Sequence, residues 1–224
     1  MRCPKCKNDV PVTYLFCPYC GYDLRFIIKE RLIARLSFRE RILRIMMLIR
    51  NPFKTIEHIA SAPDLMGGFI VALICGLLLF GKVAVLFLKN GVGLNLTAVA
   101  YLIMGAVFFQ IVLWLFLSIA IHIAMKIVGG VGVFRDVMSL VGYNQIFIAI
   151  AHVVSIVVVS ASSPSTVNGV AVFMGTSFLY VPFWLGVAFL VGYGLAYTHM
   201  LKKITAILAS IISVFVFVFF FYLI

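Results

Sequence analysis

The chain has 224 residues, a mean hydropathy of +1.19, only 11% charged residues and a formal net charge of +11. Soluble domains carry nearer a quarter charged residues, so this composition excludes an ordinary soluble globule and calls for long apolar runs in a membrane. The charge is uneven: residues 1–64 hold twelve of the eighteen Lys and Arg and six of the seven acids, and Asp136 is the single acid after Asp64.

The chain opens on a short polar head, "CPKCKNDVPVTYLFCPYCGYDL", in which Cys3, Cys6, Cys17 and Cys20 stand as C-x2-C-x10-C-x2-C. Each C-x-x-C forms a tight knuckle, and two knuckles supply four thiolates for a tetrahedral zinc. Pro4 and Pro18 stiffen the two turns, and Gly21 suits a backbone position of positive φ. The stretch resembles short prokaryotic zinc ribbons, with Lys7 where they usually carry Gly. Residues 1–23 are therefore expected to form a ribbon around structural zinc, although spacing alone also admits iron. A four-thiolate site leaves no open position for catalysis. Paired disulfides would need an oxidising compartment, and the topology below puts the head in the cytoplasm. "MRCPKC" also lacks the apolar core of a secretory signal.

Residues 24–64 are basic and apolar together. Ser37 and Glu40 form a capping box that starts a helix, with Phe38, Ile42, Ile45, Met46 and Ile49 on one stripe. Asn51 and Pro52 are placed to start a second short helix, Pro63 ends it, and Asp64 caps the first long apolar run. A basic amphipathic helix beside a span lies in the headgroup layer, where Arg39, Arg41, Arg44 and Arg50 would meet anionic lipid of the inner leaflet. Alternatively, the same stripe packs against the cytoplasmic ends of the spans. Nucleic acid is the least expected partner for so small and tethered a head.

Five apolar runs follow, Leu65–Leu88, Leu96–Met125, Val137–Ala161, Val170–Ala196 and Ile204–Ile224, each long enough for a transmembrane helix. With the head inside, sixteen basic residues lie on the cytoplasmic side and only Lys82 and Lys89 on the other. The positive-inside rule then sets the N-terminus in the cytoplasm and the C-terminus on the outer or luminal side. Lys82, near the outer end of its span, is expected to snorkel to water. Cys75, inside an apolar run, reads as a small packing residue.

Several polar signals within the runs need weighing. "GGVGVFRD" lacks the Lys and Ser/Thr of a phosphate loop and reads as a turn, and the Asn95 sequon lies against the bilayer. Ala188, Gly192 and Ala196 suit close helix packing. Gly142, Gln145, Ala149, His152 and Ser155 share one face of the third run, with Gln110 at similar depth in the second. Polar groups at membrane depth face the bundle interior and raise a pathway hypothesis. An interhelical hydrogen bond that fixes packing is the favoured account of them. His122 and His199 fall near cytoplasmic ends and His58 lies in the head. With one acid beyond Asp64, no enzyme is expected.

Three segments resemble the Yip family, the Ypt/Rab-GTPase-interacting five-pass membrane proteins. "RNPFKTIEHIASAPDL" is similar to the family's lead-in, with Asn51, Pro52 and Phe53 forming its turn. "DLMGGF" matches D-L-x-G-P-F at Asp64, Leu65, Gly67 and Phe69, with Gly68 in place of Pro. "SLVGYNQ" resembles V-G-Y-S at Val141, Gly142 and Tyr143, with Asn144 in place of Ser. The resemblance spans roughly residues 50–224 and implies a five-span bundle with a cytoplasmic N-terminus. It also implies a role in membrane trafficking or organisation.

The sequence thus describes an all-α polytopic membrane protein: a five-helix transmembrane bundle over 65–224, amphipathic juxtamembrane helices over 24–64 and a zinc ribbon over 1–23. The expected role is a non-enzymatic adaptor or scaffold that recruits a protein partner through the ribbon. Homo- or hetero-oligomers are admitted, and a prokaryotic or archaeal plasma membrane is the expected location. The alternative is a small transporter or channel component using the face around Gln145 and His152.

Overall fold

Local capping sets the first helical boundaries. A computed structural model describes residues 3–10, 16–22, 24, 36–161 and 180–223, with side chains as far as Phe219. Helix α1, Phe38–Arg50, begins at the capping box: Glu40 N donates to Ser37 Oγ at 3.3 Å, and Ser37 N donates to Glu40 Oε2 at 2.6 Å. Helix α2 is Pro52–Ser61; the Asn51 side chain makes no cap bond, so Pro52 alone marks its start. Helix α3, Leu65–Lys89, is capped by Asp64, and α4, Leu96–Ile127, by Asn95, whose Oδ1 accepts from Ala98 N at 2.8 Å. The Asn95 sequon is thus a helix cap.

The third apolar run differs from its expected single helix. It starts earlier and divides into α5, Phe134–Asn144, and α6, Ile146–Ala161. The break sits at Gln145, whose carbonyl accepts from both Ala149 N at 2.9 Å and the Cys75 thiol at 3.2 Å. Asn144 Nδ2 donates to Leu140 O at 2.8 Å, so a side chain competes for the helix ladder just there. Helix α7 is Tyr180–His199 and α8 is Lys203–Leu223. Of the expected fourth run, residues 170–179 lie outside the described residues.

From α1 onward the described chain is helical around one apolar core, and the cysteine-rich head has a small core of its own. Helices α3, α4, the α5–α6 pair and α7 are each long and apolar enough to cross a membrane. Helix α8 is apolar too, over the shorter stretch Lys203–Phe219. Small residues allow the helices to meet closely, as expected where lipid removes the hydrophobic drive between them. A Cβ on Gly76 would come within 2.7 Å of Val107 Cα, one on Gly142 within 2.6 Å of Gly68 Cα, and one on Gly192 within 2.6 Å of Ile207 Cα. Buried Ala188 and Ala196 flank Gly192 on α7. The Gly-rich turn 129–133 also packs closely: a Cβ on Gly130 would meet the His199 ring at 2.9 Å, and Gly132 lies against the same ring. Those glycines make room for an imidazole rather than a phosphate.

The juxtamembrane helices pack on the bundle, and their orientation corrects the expected stripe. The inward face of α1 is Arg41, Arg44, Ile45 and Leu48, while Phe38, Met46 and Ile49 point outward. Helix α2 lies against α7, with the Phe53 ring edge-on to Tyr193 at 5.2 Å.

Candidate functional site

The four cysteines of the head converge. Their sulfurs all lie within 4.8 Å of one another, and the group can hold one metal ion. Cys3 Sγ is 3.6 Å from Cys20 Sγ, and Cys6 Sγ is 3.5 Å from Cys17 Sγ. A disulfide needs about 2.05 Å, whereas four sulfurs around a tetrahedral zinc at ~2.3 Å sit about 3.8 Å apart. The two knuckles are built alike: Lys7 N donates to Cys3 O at 2.8 Å and Gly21 N to Cys17 O at 2.9 Å. Both donors have positive φ, 61° at Lys7 and 68° at Gly21. Lys7 therefore takes the glycine conformation without being glycine, at a cost of about 1–2 kcal/mol. Val10 and Leu24 are buried with the cysteines and close a small core beneath them.

The thiols also behave as a group that wants a cation. Burial raises the Cys3 thiol, but the N–H groups of Cys6 and Lys5 and the Cys20 thiol outweigh it, leaving Cys3 at about 7. At Cys6 the Asn8 N–H works downward, while burial and the three neighbouring thiols push the group up to about 12. Four thiols this close cannot all ionise without a positive charge among them.

A second convergence lies where the first span begins. Asp64 Oδ2 accepts from Arg41 Nε at 2.9 Å, Gly67 N at 3.1 Å and Tyr143 OH at 3.1 Å, and Oδ1 accepts from Met66 N at 3.2 Å. The Asp64 main chain is held as well: its N–H donates to Ser139 Oγ at 2.9 Å, and the Ser139 hydroxyl donates to its carbonyl at 3.2 Å. Arg44 Nη1 donates to Ala62 O at 2.9 Å and is buried. One carboxylate thus ties α1, α3 and α5 together. Any Cβ on Gly67 would collide with the Tyr143 ring, and Trp114 Nε1 donates to Met138 O at 3.0 Å beside the Gly68–Gly142 contact.

Two further polar groups lie deeper. Gln110 Nε2 donates to Gln145 Oε1 at 3.3 Å, which joins α4 to the helix break. Farther along α6, His152 Nδ1 is 2.7 Å from Tyr180 OH, and Lys82 Nζ lies 5.0 Å over the Tyr180 ring. Lys82 is 4% exposed, which corrects the expected snorkelling: its ammonium is held inside by an aromatic face. His152 Nε2, Ser155 Oγ and Trp184 Nε1 are buried and find no hydrogen-bond partner among the described residues.

A family model, the Yip1 domain, matches residues 46–224. The chain belongs to the Yip1 family. No curated protein and no solved structure matches it. Within the Yip1 domain, the quoted motifs are neighbours in space. Asp64 and Tyr143 share a hydrogen bond, Gly68 and Gly142 share a helix crossing, and Phe53 reaches Tyr193. Leu65 opens α3, and Phe69 tilts against Trp114 at 6.4 Å.

The arginines expected at the lipid surface divide. Arg39 and Arg50 are exposed, whereas Arg41 and Arg44 are spent on Asp64 and Ala62. Buried arginine needs such acceptors, and Asp64 supplies the carboxylate that Arg41 pairs with. His122 and His199 lie 6.0 Å apart between ring centroids at the Gly-rich turn, and His58 is exposed on α2. Ser139 and Tyr180 were not singled out in the sequence; a lone hydroxyl in an apolar run carries no signal until its partner is known.

Proposed function

We propose that this Yip1-family protein is a non-enzymatic membrane adaptor that presents a zinc-folded ribbon to a soluble protein partner. The observation that carries this reading is the closed cage of Cys3, Cys6, Cys17 and Cys20. About twenty residues bury too little to fold alone, and a metal held by four thiolates supplies the missing stability without leaving a catalytic position. In this reading zinc is structural, five helices cross the membrane and the ribbon faces the cytoplasm. The C-terminus then lies outside, and the membrane is the plasma membrane of a prokaryote or archaeon. The Asp64 lock fixes α1 to α3 and α5 of the bundle.

The test is co-purification from native membranes, comparing wild type with a Cys17→Ser, Cys20→Ser double variant by mass spectrometry. Proteins recovered only with wild type support recruitment by the ribbon. Identical partner sets would sink it and reduce the ribbon to a structural cap.

A second reading, a small transporter or channel component, is favoured by the Lys82–Tyr180–His152 cluster. Buried polar atoms at His152 Nε2, Ser155 Oγ and Trp184 Nε1 suit a passing polar species, while the Gln110–Gln145 bond is a packing contact. It requires His152→Ala to stop ion flux in liposomes with the fold intact; unchanged flux removes it.

A further inference from the structure

Helix α1 is inverted for a water-facing surface. It turns two arginines inward, and its outer side carries Phe38, Leu43, Met46, Met47 and Ile49, exposed at 64, 46, 61, 56 and 52%. At 100° per residue these side chains spread over one broad arc that also contains exposed Arg39 and Arg50. So many large apolar groups on one short helix mark a surface with a partner.

The position of the hairpin identifies that partner. Helix α2 lies alongside the spans rather than beyond them: the Phe53 ring meets Phe189 at 6.3 Å. Phe189 is about 15 Å inside α7 from its His199 end at helical rise. Ile56 fills the space at Gly194 on the same helix, where a Cβ would meet Ile56 Cγ2 at 2.7 Å. Across the bundle, α4 runs on past its Trp114 contact with Gly68, and Ile119, Ile123 and Ile127 on that extension are also exposed, at 38, 53 and 79%. The apolar outer surface of the bundle therefore continues to the level of the hairpin, and α1 extends it.

We propose that α1–α2 is a wedge in the leaflet at the Asp64 end, with α2 running along α7 and α1 turning its apolar side to lipid. Phe38, Leu43, Met46, Met47 and Ile49 sit among the upper acyl chains, and Arg39 and Arg50 reach the lipid phosphates of the same leaflet. The occupant is lipid rather than protein because the face is continuous with the exposed apolar bundle and carries cations within its arc. The Arg41–Asp64 and Arg44–Ala62 bonds fix the wedge to the spans, so its depth is set by the bundle. The inference rests on the membrane-crossing reading of the spans and is independent of what the ribbon binds.

The experiment uses the full chain with Met46→Trp, reconstituted in phosphatidylcholine–phosphatidylglycerol vesicles. The lipids carry bromine either near the headgroup end of the acyl chain or near its terminal methyl. The emission added by Met46→Trp, relative to wild type, is expected to be blue-shifted and quenched more strongly by the shallow bromines. Met47→Trp, on the same face, gives the same result and serves if Met46→Trp misfolds. Emission unquenched by either lipid would overturn the proposal, because protein or water would then cover the face. Stronger quenching by the deep bromines would overturn the placement among the upper acyl chains.

Discussion

Two polar clusters inside the bundle are opposites in how fully they are satisfied. At Asp64 both carboxylate oxygens, the backbone N–H and the carbonyl each have a partner, drawn from Arg41, Met66, Gly67, Ser139 and Tyr143. At His152 one ring nitrogen is bonded to Tyr180, while the other nitrogen and the Ser155 hydroxyl three residues on have none among the described residues. A buried carboxylate must be fully paired or it destabilises the fold, so the first cluster behaves as a lock. Buried polar atoms left without a partner cost about 1–3 kcal/mol each, so at these atoms the second cluster adds nothing to stability. Asp64, Gly67 and Tyr143 of the family motifs belong to the first cluster, and none of the motif residues belongs to the second.

The largest test of that contrast is Asp64→Ala. It leaves Arg41, the Tyr143 hydroxyl and two N–H groups of α3 without their acceptor, and unfolding in detergent should show a loss of about 3 kcal/mol or more. Gly142→Ala comes next: its new Cβ meets Gly68 backbone, which cannot swing aside, for a loss of about 1–3 kcal/mol. Ser155→Ala should have the opposite sign, leaving stability unchanged or raised by up to ~1 kcal/mol, because it deletes a hydroxyl that has no bond among the described residues. A loss at Ser155 comparable to that at Asp64 would erase the distinction.

The smallest effect concerns pH. Hydrogen bonds from Tyr193 OH at 2.6 Å and Tyr197 OH at 2.8 Å, with Lys203 and Lys54 nearby, hold the Glu57 carboxyl below its ordinary range. A lowered folded pKa means the stabilisation is present above the unfolded pKa and disappears as pH falls through the folded one. Melting temperature should therefore drop slightly more on acidification in wild type than in Glu57→Gln; parallel curves would show that the α2–α7 contact does not depend on this charge.

Much of this architecture is legible in the sequence. Caps are local, so Ser37, Glu40 and Asp64 announce their helices within four residues, whereas Asn95 reads as a sequon; the limits of α3 and α4 follow from apolar length. The thiol spacing likewise carries the cage, because a knuckle is closed by its own neighbours. The contacts that escaped are long-range. Arg41 and Arg44 find acceptors 23 and 18 residues away, and nothing in a helical stripe says that arginine will point inward. In water the apolar stripe would be buried, but beside lipid the apolar side can face out, which reverses α1. The break at Gln145 depends on a thiol from another helix, and Lys82 is retained by a Tyr180 ring that becomes its neighbour only when α3 and α7 fold together.

The most direct test of the central claim, a membrane-held module folded by metal, is elemental analysis joined to X-ray absorption on the intact protein purified without chelator. The account predicts one zinc per chain with four sulfur neighbours at about 2.3 Å, lost in the Cys17→Ser, Cys20→Ser variant while the bundle keeps its helicity. Protein that retains its helices, carries no metal and has its four thiols oxidised in pairs would contradict it.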